Sequence, residues 1–374
     1  ASLGTFGPAS LGTFPDALHT IGMGAFWGCS KLASVAFPDA LQTIEEEAFY
    51  GCKSLASVVF PDALQTIEQY AFYECSSLAS LGTFPDGLQT IEWSAFRGCS
   101  SLASVAFPDA LQTIGFSAFR GCSSLASVAF SGDALQTIEK HAFEGCRSLA
   151  SVDLSTTNVQ TIEEFAFQGC SSLASVAFPG ALQTIKYRAF YECTSLASMS
   201  RTHESSASSA AGGEAGPAAT FPDALQTIRL EAFRGCSSLA SVAFPDALQS
   251  IGASAFYGCR SLASASVFLS TAFNRILSFP ANCVVTIRQP NIDFEIGALC
   301  TICQDSLTDQ DQGYLVQLVR CGHIFHSVCL SKWQSENATR VYVKGKSFPT
   351  CPNCRLPSQK LGSDNIYRLI QLRF

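Results

Sequence analysis

The sequence predicts a solenoid of stacked, parallel β-strands, followed by a small α+β domain in the C-terminal part of the chain. Two patterns of residues predict this division. Ten cysteines recur between residues 29 and 259 at intervals of 23 or 24 residues, with one longer interval of 43. Six other cysteines and two histidines are confined to residues 300–354. A fixed period indicates a repeat array, whereas a dense group without a period indicates a separate small domain.

The composition supports a folded chain and excludes some function classes. Of the 374 residues, 47% are hydrophobic and 14% are charged, which excludes global disorder. No apolar run approaches the roughly 20 residues of a membrane span, so we expect no transmembrane helix. Residues 1–296 carry fourteen Lys/Arg against twenty-five Asp/Glu, and residues 297–374 carry nine against five. Because phosphate contacts need Lys and Arg, we expect no nucleic-acid partner for this acidic array.

The repeat unit has a definite sequence. Each cysteine of the array follows A-F-x-[GE] and precedes S-L-A-S-V-x-F-P-D-A-L-Q-T-I, with small variations. One such unit is too small to bury its own apolar face, so neighbouring units must stack. The cysteines are Cys29, Cys52, Cys75, Cys99, Cys122, Cys146, Cys170, Cys193, Cys236 and Cys259.

One unit, residues 32–52, shows which side chains we expect in the core. A strand is followed by a turn at Pro38 and Asp39, by a return segment, and by a short turn that closes the coil. The expected inward residues are Leu32, Val35, Phe37, Leu41, Ile44, Ala48, Phe49 and Cys52. Stacked strands lie about 4.8 Å apart, so we expect one ladder of phenylalanines and one of cysteines along the array.

This pattern resembles the bacterial-surface-antigen type of leucine-rich repeat over residues 1 to about 287. The resemblance implies a leucine-rich-repeat solenoid, with a parallel β ladder joined by short turns or helical turns. For the cysteine ladder we favour small buried apolar side chains over redox or metal sites. Stacked Cβ vectors run parallel, and this arrangement suits disulfide geometry poorly.

The residue after each A-F pair varies, unlike the outward strand positions, which are almost all Ser and Ala. Tyr, Trp and Arg dominate the variable position, and these residues often anchor protein interfaces. We call its aromatic and cationic members the turn-side stripe: Trp27, Tyr50, Tyr73, Arg97, Arg120, Tyr191, Arg234 and Tyr257. We predict that this stripe contacts a protein partner; the alternative is that the side chains only shield the turn. The triplet before A-F also varies and contains Trp93, Phe116, Phe165 and Tyr187.

Composition divides the chain into four parts. Residues 1–198 form the solenoid, residues 199–219 a low-complexity disordered insertion, residues 220–290 the last repeats and a C-terminal cap, and residues 291–374 the C-terminal domain. We expect the insertion to leave the stack intact. Phe279 to Ile287 is interpreted as a worn copy of F-P-D-A-L-Q-T-I, with Cys283 as a buried thiol outside the ladder. The sequence opens with Ala1 partway through a repeat, and we expect the natural chain to begin further upstream.

The C-terminal cluster has the spacing of metal ligands: C300-x2-C303-x17-C321-x-H323-x2-H326-x2-C329-x21-C351-x2-C354. Eight thiol and imidazole donors in four close pairs indicate two tetrahedral sites. Zn²⁺ suits them because it accepts mixed sulfur and nitrogen donors and has no redox chemistry. Each ion would also supply folding energy that so short a segment cannot obtain from an apolar core.

The order of three cysteines, two histidines and three cysteines resembles the RING finger of the H2 subtype, over residues 297 to about 357. The resemblance implies two Zn²⁺ ions held by interleaved pairs. Cys300, Cys303, His326 and Cys329 would hold the first zinc, and Cys321, His323, Cys351 and Cys354 the second. It also implies a ubiquitin ligase of the scaffold type, in which no cysteine of this chain carries ubiquitin.

The resemblance extends beyond the ligands. It implies that Ile302, Trp333 and Pro352 form the groove for a ubiquitin-conjugating enzyme, although Ile302 and Trp333 would alternatively pack around the zinc. Arg355 stands at the position of the linchpin cation, which hydrogen-bonds both ubiquitin and the conjugating enzyme. The segment from Thr339 to Thr350 departs from the family pattern, and we predict an inserted hairpin there. A last helix over 365–374, capped by Ser363 or Asp364, is expected to pack on the domain or to form a homodimer.

These inferences together predict a ligase that holds a target protein on the array and a ubiquitin-charged conjugating enzyme on the RING domain. The first alternative is a non-catalytic, zinc-binding adaptor or scaffold for protein–protein interaction. An adhesion or surface protein is a further alternative, suggested by the repeat type. Reduced zinc-ligating thiols favour an intracellular location, in the cytoplasm or alternatively in the nucleus.

Overall fold

The computed structural model describes residues 14–200, 219–268, 283–289 and 292–294, together with five short strands in the C-terminal part of the chain. All regular secondary structure in these ranges is β-strand. The array strands are β1 (Thr20–Ile21), β2 (Thr43–Ile44), β3 (Thr66–Ile67), β4 (Thr90–Ile91), β5 (Ser104–Phe107), β6 (Thr113–Ile114), β7 (Ser127–Phe130), β8 (Thr137–Ile138), β9 (Ser151–Asp153), β10 (Thr161–Ile162), β11 (Ser175–Ala177), β12 (Thr184–Ile185), β13 (Ser198–Ser200), β14 (Ala219–Thr220), β15 (Thr227–Ile228), β16 (Ser241–Ala243), β17 (Ser250–Ile251), β18 (Ser264–Phe268), β19 (Val284–Gln289) and β20 (Ile292–Phe294). The later strands are β21 (Leu315–Gln317), β22 (Ile324–His326), β23 (Arg340–Val343), β24 (Lys346–Pro349) and β25 (Arg368–Ile370).

The array is a leucine-rich-repeat solenoid, as the sequence predicts. Its ten short T-I or S-I strands form one parallel sheet in the order β1-β2-β3-β4-β6-β8-β10-β12-β15-β17. Equivalent residues pair between neighbouring coils, for example Thr43 with Thr66 and Ile44 with Ile67. Because successive side chains in a strand point to opposite faces, each isoleucine lies in the core and each hydroxyl residue faces outward.

A second strand per coil comes from the S-V-A-F segments. Strands β5, β7, β9, β11 and β13 form one parallel sheet. Strands β14, β16, β18, β19 and β20 form another sheet, which is parallel up to β19. In the earlier coils the same position makes isolated bridges, Ser34 with Ser57 and Ser57 with Ser80. Each coil therefore has two β faces, and its apolar side chains are enclosed between them.

The two predicted ladders are confirmed. The rings of the A-F phenylalanines stack from Phe26 to Phe256, with centroids 5.0–5.5 Å apart and planes within 15° of parallel. Beside them, each cysteine from Cys52 to Cys259 donates its thiol to a phenylalanine carbonyl of the previous coil, at 3.1–3.2 Å. In the unit 32–52 the predicted inward residues are buried, except that Val35 and Phe37 are half-buried.

The turn around each A-F pair contains two residues in the left-handed region. In one coil these are Glu47, with φ 57°, and Gly51, with φ 68°. The conformation brings the turn backbone into register with the next coil: Phe49 N–H donates to Ala71 O at 2.8 Å, and Gly51 N–H donates to Tyr73 O at 2.7 Å. These inter-coil hydrogen bonds satisfy backbone N–H and C=O groups of the turns that have no partner within their own coil.

The stack is continuous across the segment between residues 200 and 219. Strand β12 pairs directly with β15, with Thr184 opposite Thr227 and Ile185 opposite Ile228. Phe190 stacks on Phe233 at 5.2 Å. The S-V-A-F sheet divides here, since β13 pairs with β11 whereas β14 pairs with β16. The long interval in the cysteine period is thus an insertion into one coil that leaves the next coil in place.

The end of the array differs from the prediction in register. Strand β19 pairs in parallel with β18, with Ser264 opposite Val284 and Val267 opposite Ile287. Residues 284–287 therefore continue the S-V-A-F sheet, and the interpretation of this segment as a worn F-P-D-A-L-Q-T-I copy is wrong. The apolar residues Val284, Val285 and Ile287 fit either strand, and the pairing with β18 decides between them. The antiparallel strand β20 follows β19, and Cys283 is buried as expected.

In the C-terminal part, the predicted hairpin is confirmed and the predicted last helix is wrong. Strands β23 and β24 pair antiparallel around residues 344–345, with Val343 opposite Lys346. Strand β21 lies between β22 and β25, and Leu315 is opposite both His326 and Ile370. Residues 368–370 are thus a strand, because pairing with β21 gives their backbone groups partners from a distant segment.

Candidate functional site

The predicted metal cluster falls mostly outside the described residues. Of its eight ligands the structure describes the backbone of His326, the last residue of β22, which pairs with β21. The other ligands, Cys300, Cys303, Cys321, His323, Cys329, Cys351 and Cys354, lie outside the described residues, as do Ile302, Trp333, Pro352 and Arg355. Their roles remain predictions.

The donor set fits zinc on its chemistry. Six thiols and two imidazoles are arranged in four pairs separated by one or two residues. Such pairs direct two donors at one ion, and mixed sulfur and nitrogen coordination is typical of structural Zn²⁺. The cluster therefore has the donors of a RING-type zinc centre.

The turn-side stripe forms a column along one edge of the solenoid. Trp27 stacks on Tyr50 at 5.8 Å, and Tyr50 stacks on Tyr73 at 4.7 Å. The Arg97 guanidinium lies over the Tyr73 ring at 5.5 Å. Trp27 remains 48% exposed. The column is therefore internally ordered and also open to solvent.

The same column continues through the remaining coils. Arg120 forms an ion pair with Glu144 at 3.0 Å, and the Gln168 amide contacts Glu144 at 3.5 Å. Further along, Arg234 lies between two rings, 5.9 Å from Tyr191 and 5.0 Å from Tyr257. The structure thus brings all eight predicted stripe residues into one line, in which most side chains contact the next. These contacts would also suit shielding of the turn, so a partner for the stripe remains a prediction.

A second column lies beside it, on the residues just before A-F. Trp93 contacts Phe116 at 6.2 Å, Phe116 contacts His141 at 5.3 Å, His141 stacks on Phe165 at 4.6 Å, and Phe165 contacts Tyr187 at 5.1 Å. We call these five residues the aromatic strip. The sequence pointed to four of them; it missed His141, whose imidazole continues the column and accepts or donates a 2.6 Å hydrogen bond with Glu144.

The charges around the aromatic strip are mostly paired with one another. Lys140 pairs with Glu164 at 3.0 Å, Lys186 with Glu163 at 2.6 Å, and Arg188 with Glu231 at 2.5 Å. Exposed pairs of this kind contribute little stability, about 0–1 kcal/mol each. They do, however, cancel the charges at the far end of the strip.

Two carboxylates at the near end are different. Glu92 and Glu139 follow the T-I strands of the coils on either side of Gly115, and neither has an ion-pair partner among the described residues. Partial burial, followed by repulsion from Glu139 and Glu68, raises the pKa of Glu92. Glu92 therefore lies close enough to Glu139 and Glu68 for the three carboxylates to repel one another.

The cysteine ladder has the chemistry of a core and lacks the features of a reactive site. Burial raises the pKa of Cys122 and of Cys170 to about 12. A thiol whose pKa lies so far above neutral pH stays protonated and is not a nucleophile, since the thiolate is the reactive form. The favoured interpretation of these residues as buried apolar side chains agrees with their burial in the structure.

The fold and the ligand cluster define a class of protein: a leucine-rich-repeat solenoid followed by a RING-type zinc finger. The family described as BspA type leucine rich repeat region matches residues 10–111, 89–207 and 217–283, in six copies. The chain belongs to this family. Among the described residues, no helix has the length and apolar character needed to cross a membrane.

The C-terminal part matches the family described as Ring finger domain over residues 298–355. Two curated proteins are similar to this region. E3 ubiquitin-protein ligase RNF6 of Mus musculus is 32% identical over 76 residues, which are 20% of this chain and 9% of RNF6. RING-H2 finger protein ATL33 of Arabidopsis thaliana is 38% identical over 61 residues, which are 16% of this chain and 20% of ATL33. The chain thus spans a small part of either relative.

Solved structures similar to the array include two bacterial proteins. A leucine-rich repeat protein from Bacteroides ovatus is 24% identical with a TM-score of 0.36, over 72% of this chain and 88% of that one. A leucine rich cell surface protein from Faecalibacterium prausnitzii is 24% identical with a TM-score of 0.43, over 74% and 84%.

Proposed function

We propose that this protein is a RING-type E3 ubiquitin-protein ligase. The C-terminal domain binds a ubiquitin-charged conjugating enzyme, and the solenoid binds the target protein. The observation that carries the proposal is the match of residues 298–355 to the Ring finger domain family, with all eight metal donors present in the order typical of the H2 subtype. The similarity to RNF6 and ATL33 supports the same assignment.

In this proposal Cys300, Cys303, His326 and Cys329 would hold one Zn²⁺ and Cys321, His323, Cys351 and Cys354 a second, and the two ions would cross-link the domain. Ile302, Trp333 and Pro352 bind the conjugating enzyme. Arg355 donates hydrogen bonds to ubiquitin and to the enzyme together, which restricts the thioester to conformations ready for attack. The amine of the target lysine attacks that thioester, an isopeptide bond to ubiquitin forms, and the thiol of the conjugating enzyme leaves. No cysteine of this chain carries ubiquitin in this step.

A reconstituted reaction tests the proposal. The intact chain would be incubated with activating enzyme, a panel of conjugating enzymes, ubiquitin and ATP, and ubiquitin chains would be followed on gels. We expect chain formation with at least one conjugating enzyme. Trp333→Ala and Arg355→Ala should each reduce it at least tenfold, because groove binding and thioester positioning are lost, whereas the zinc content should stay at two ions per chain.

Matched controls use the same residue types on the array. Trp27→Ala and Arg97→Ala remove a tryptophan and an arginine outside the RING domain, and both should keep full activity. Full activity of Trp333→Ala or Arg355→Ala would refute the role assigned to that residue. Absence of chain formation with every conjugating enzyme, together with intact zinc binding, would favour the non-catalytic adaptor.

The location of the protein belongs to the same proposal. Six cysteines that must stay reduced to hold zinc favour the interior of a cell, where thiols are kept reduced. Fractionation of tagged protein should place it in the cytoplasm or the nucleus, and its recovery from the medium or an oxidising compartment would contradict this.

A further inference from the structure

The aromatic strip is an apolar surface that no part of the described chain covers. Trp93, at its near end, is 52% exposed, and the other four rings are half-buried. Its rings follow five consecutive coils, so with coils about 4.8 Å apart the strip is about 20 Å long. An extended peptide advances about 3.3 Å per residue, so roughly six residues would cover it.

The charge beside the strip limits what can bind there. Along one flank, Glu68, Glu92 and Glu139 occupy the position after each T-I strand, and in the intervening coil that position is Gly115. A Cβ at Gly115 would lie only 2.8 Å from Ile91 O, so no side chain can fill the gap between Glu92 and Glu139. Glu92 and Glu139 therefore flank a position without a side chain, in the coil that also carries Phe116.

The arginines of the neighbouring turn-side stripe contact side chains of the array. Arg97 lies over Tyr73, and Arg120 is paired with Glu144. At the far end Lys140, Lys186 and Arg188 are each paired with a glutamate. At the position after the T-I strands, in the five coils of the strip, the charged side chains without an ion-pair partner among the described residues are thus the acidic Glu92 and Glu139.

From this complementarity we propose that the aromatic strip binds an extended segment of a partner protein that carries lysine or arginine next to apolar residues. The partner's apolar side chains pack on Phe116, Phe165 and Tyr187. The stem of its basic side chain lies on Trp93, and the cation faces Glu92 and Glu139, where it gains both ion pairing and a cation–π contact. The inference deepens the proposed function, because it names the class of target that the solenoid holds.

The experiment selects the ligand without assuming its sequence. A library of random decapeptides would be displayed against the intact chain, and binding of a fluorescently labelled selected peptide would be measured by anisotropy. We expect enrichment of peptides with Lys or Arg beside aromatic or aliphatic residues. The double variant Trp93→Ala/Phe116→Ala should weaken binding at least tenfold. Glu92→Gln/Glu139→Gln, which keeps side-chain shape, should do the same, and acetylation of the peptide's lysines should have a similar effect.

Two matched variants test whether peptide binding is specific to the aromatic strip. Met23→Ala/Val59→Ala removes two exposed apolar side chains outside the strip, and Glu74→Gln/Glu192→Gln removes two exposed carboxylates; both variants should bind normally. Enrichment of acidic or uncharged peptides would overturn the proposal. Loss of binding in Tyr50→Ala/Tyr73→Ala, with binding kept in Trp93→Ala/Phe116→Ala, would place the peptide on the turn-side stripe and contradict the proposal. A dimer in light scattering that Trp93→Ala/Phe116→Ala converts to monomer would also contradict it, because a second copy of the chain would then cover the strip. Peptide binding needs no ubiquitin reagents, so inactivity in the reconstituted ligase reaction with peptide binding intact would reject only the proposed function.

Discussion

Each closing turn of the solenoid places two residues at positive φ. The second of them, directly before the cysteine, is glycine in most coils and glutamate in the others. Eight of the ten coils have glycine before the cysteine, and two have Glu74, with φ 53°, or Glu192, with φ 57°. A residue with a Cβ costs roughly 1–2 kcal/mol more than glycine in this region. Glutamate is thus tolerated here because the coils on both sides hold the turn in place.

Replacement of these two glutamates by glycine should stabilise the array. Glu74→Gly and Glu192→Gly should each raise the free energy of unfolding by about 1 kcal/mol, because the left-handed strain is removed. Chemical denaturation followed by circular dichroism measures the change. Glu74→Ala is the control, since it loses the charge but keeps the Cβ. An equal gain from alanine would show that charge or crowding, and not backbone strain, limits stability at this position.

A glycine at another position is required for a different reason. A Cβ at Gly115 would lie 2.8 Å from Ile91 O and 3.0–3.1 Å from the backbone of Glu92 and Trp93. Gly115→Ala should therefore lower the free energy of unfolding by about 1–3 kcal/mol, as overpacking does. Gly87→Ala, where an added Cβ meets nothing within 4 Å, should leave stability within about 0.5 kcal/mol of the parent. Equal effects at both positions would contradict the close approach of the coils at Gly115.

At the scale of the element, the phenylalanine and cysteine ladders could be predicted because the period alone aligns equivalent residues. The register of β19 could not, since Val284 and Val285 suit either of the two sheets and only pairing with β18 separates them. The same limit applies to β25, whose partner β21 lies some fifty residues earlier in the chain. The sequence predicted four of the five residues of the aromatic strip, because only the geometry of the turn shows that His141 stacks on Phe165.

The cysteine ladder makes the array sensitive to alkaline pH. Burial raises the pKa of Cys122 and Cys170 to about 12, whereas the same thiols in the unfolded chain ionise near 8.5. The unfolded state therefore releases its protons first. The stabilisation that follows from protonated, buried thiols is complete below about pH 8.5 and is lost as pH rises toward 12, by about 1.4 kcal/mol per pH unit for each thiol.

This predicts a denaturation midpoint that falls between pH 7.5 and pH 10 under reducing conditions. The matched variant is Cys122→Ala/Cys170→Ala. It should be less stable than the parent at pH 7.5, because methyl groups replace larger side chains, but its midpoint should fall less steeply with pH. Tyrosine ionisation and the zinc-ligating cysteines affect parent and variant alike. Parallel pH profiles for the two proteins would contradict the assignment to the ladder.

At the scale of the whole molecule, noncovalent contacts between neighbouring coils hold the array together, in addition to the covalent chain. Between the coils that flank the segment 201–218, the T-I sheet pairs β12 with β15, Phe190 stacks on Phe233, and Cys236 donates its thiol to Phe190 O at 3.2 Å. Arg188 and Glu231 add an ion pair at 2.5 Å. Apolar contact and backbone pairing thus join the two halves directly, which is the nearest-neighbour behaviour expected of a repeat array.

The intact chain should therefore survive a cut in this segment. If a recognition site for a specific protease is introduced between Ala210 and Ala211 and then cleaved, we expect the two fragments to elute together in size-exclusion chromatography with an unchanged circular dichroism spectrum. Weakening the joint in the cleaved protein by Phe190→Ala/Phe233→Ala should release them, because the stacked rings across the cut are lost; the same double substitution without cleavage controls for folding of the array. Separation of the parent fragments without denaturant would mean that the covalent connection, and not the ladder, holds the solenoid together at this point.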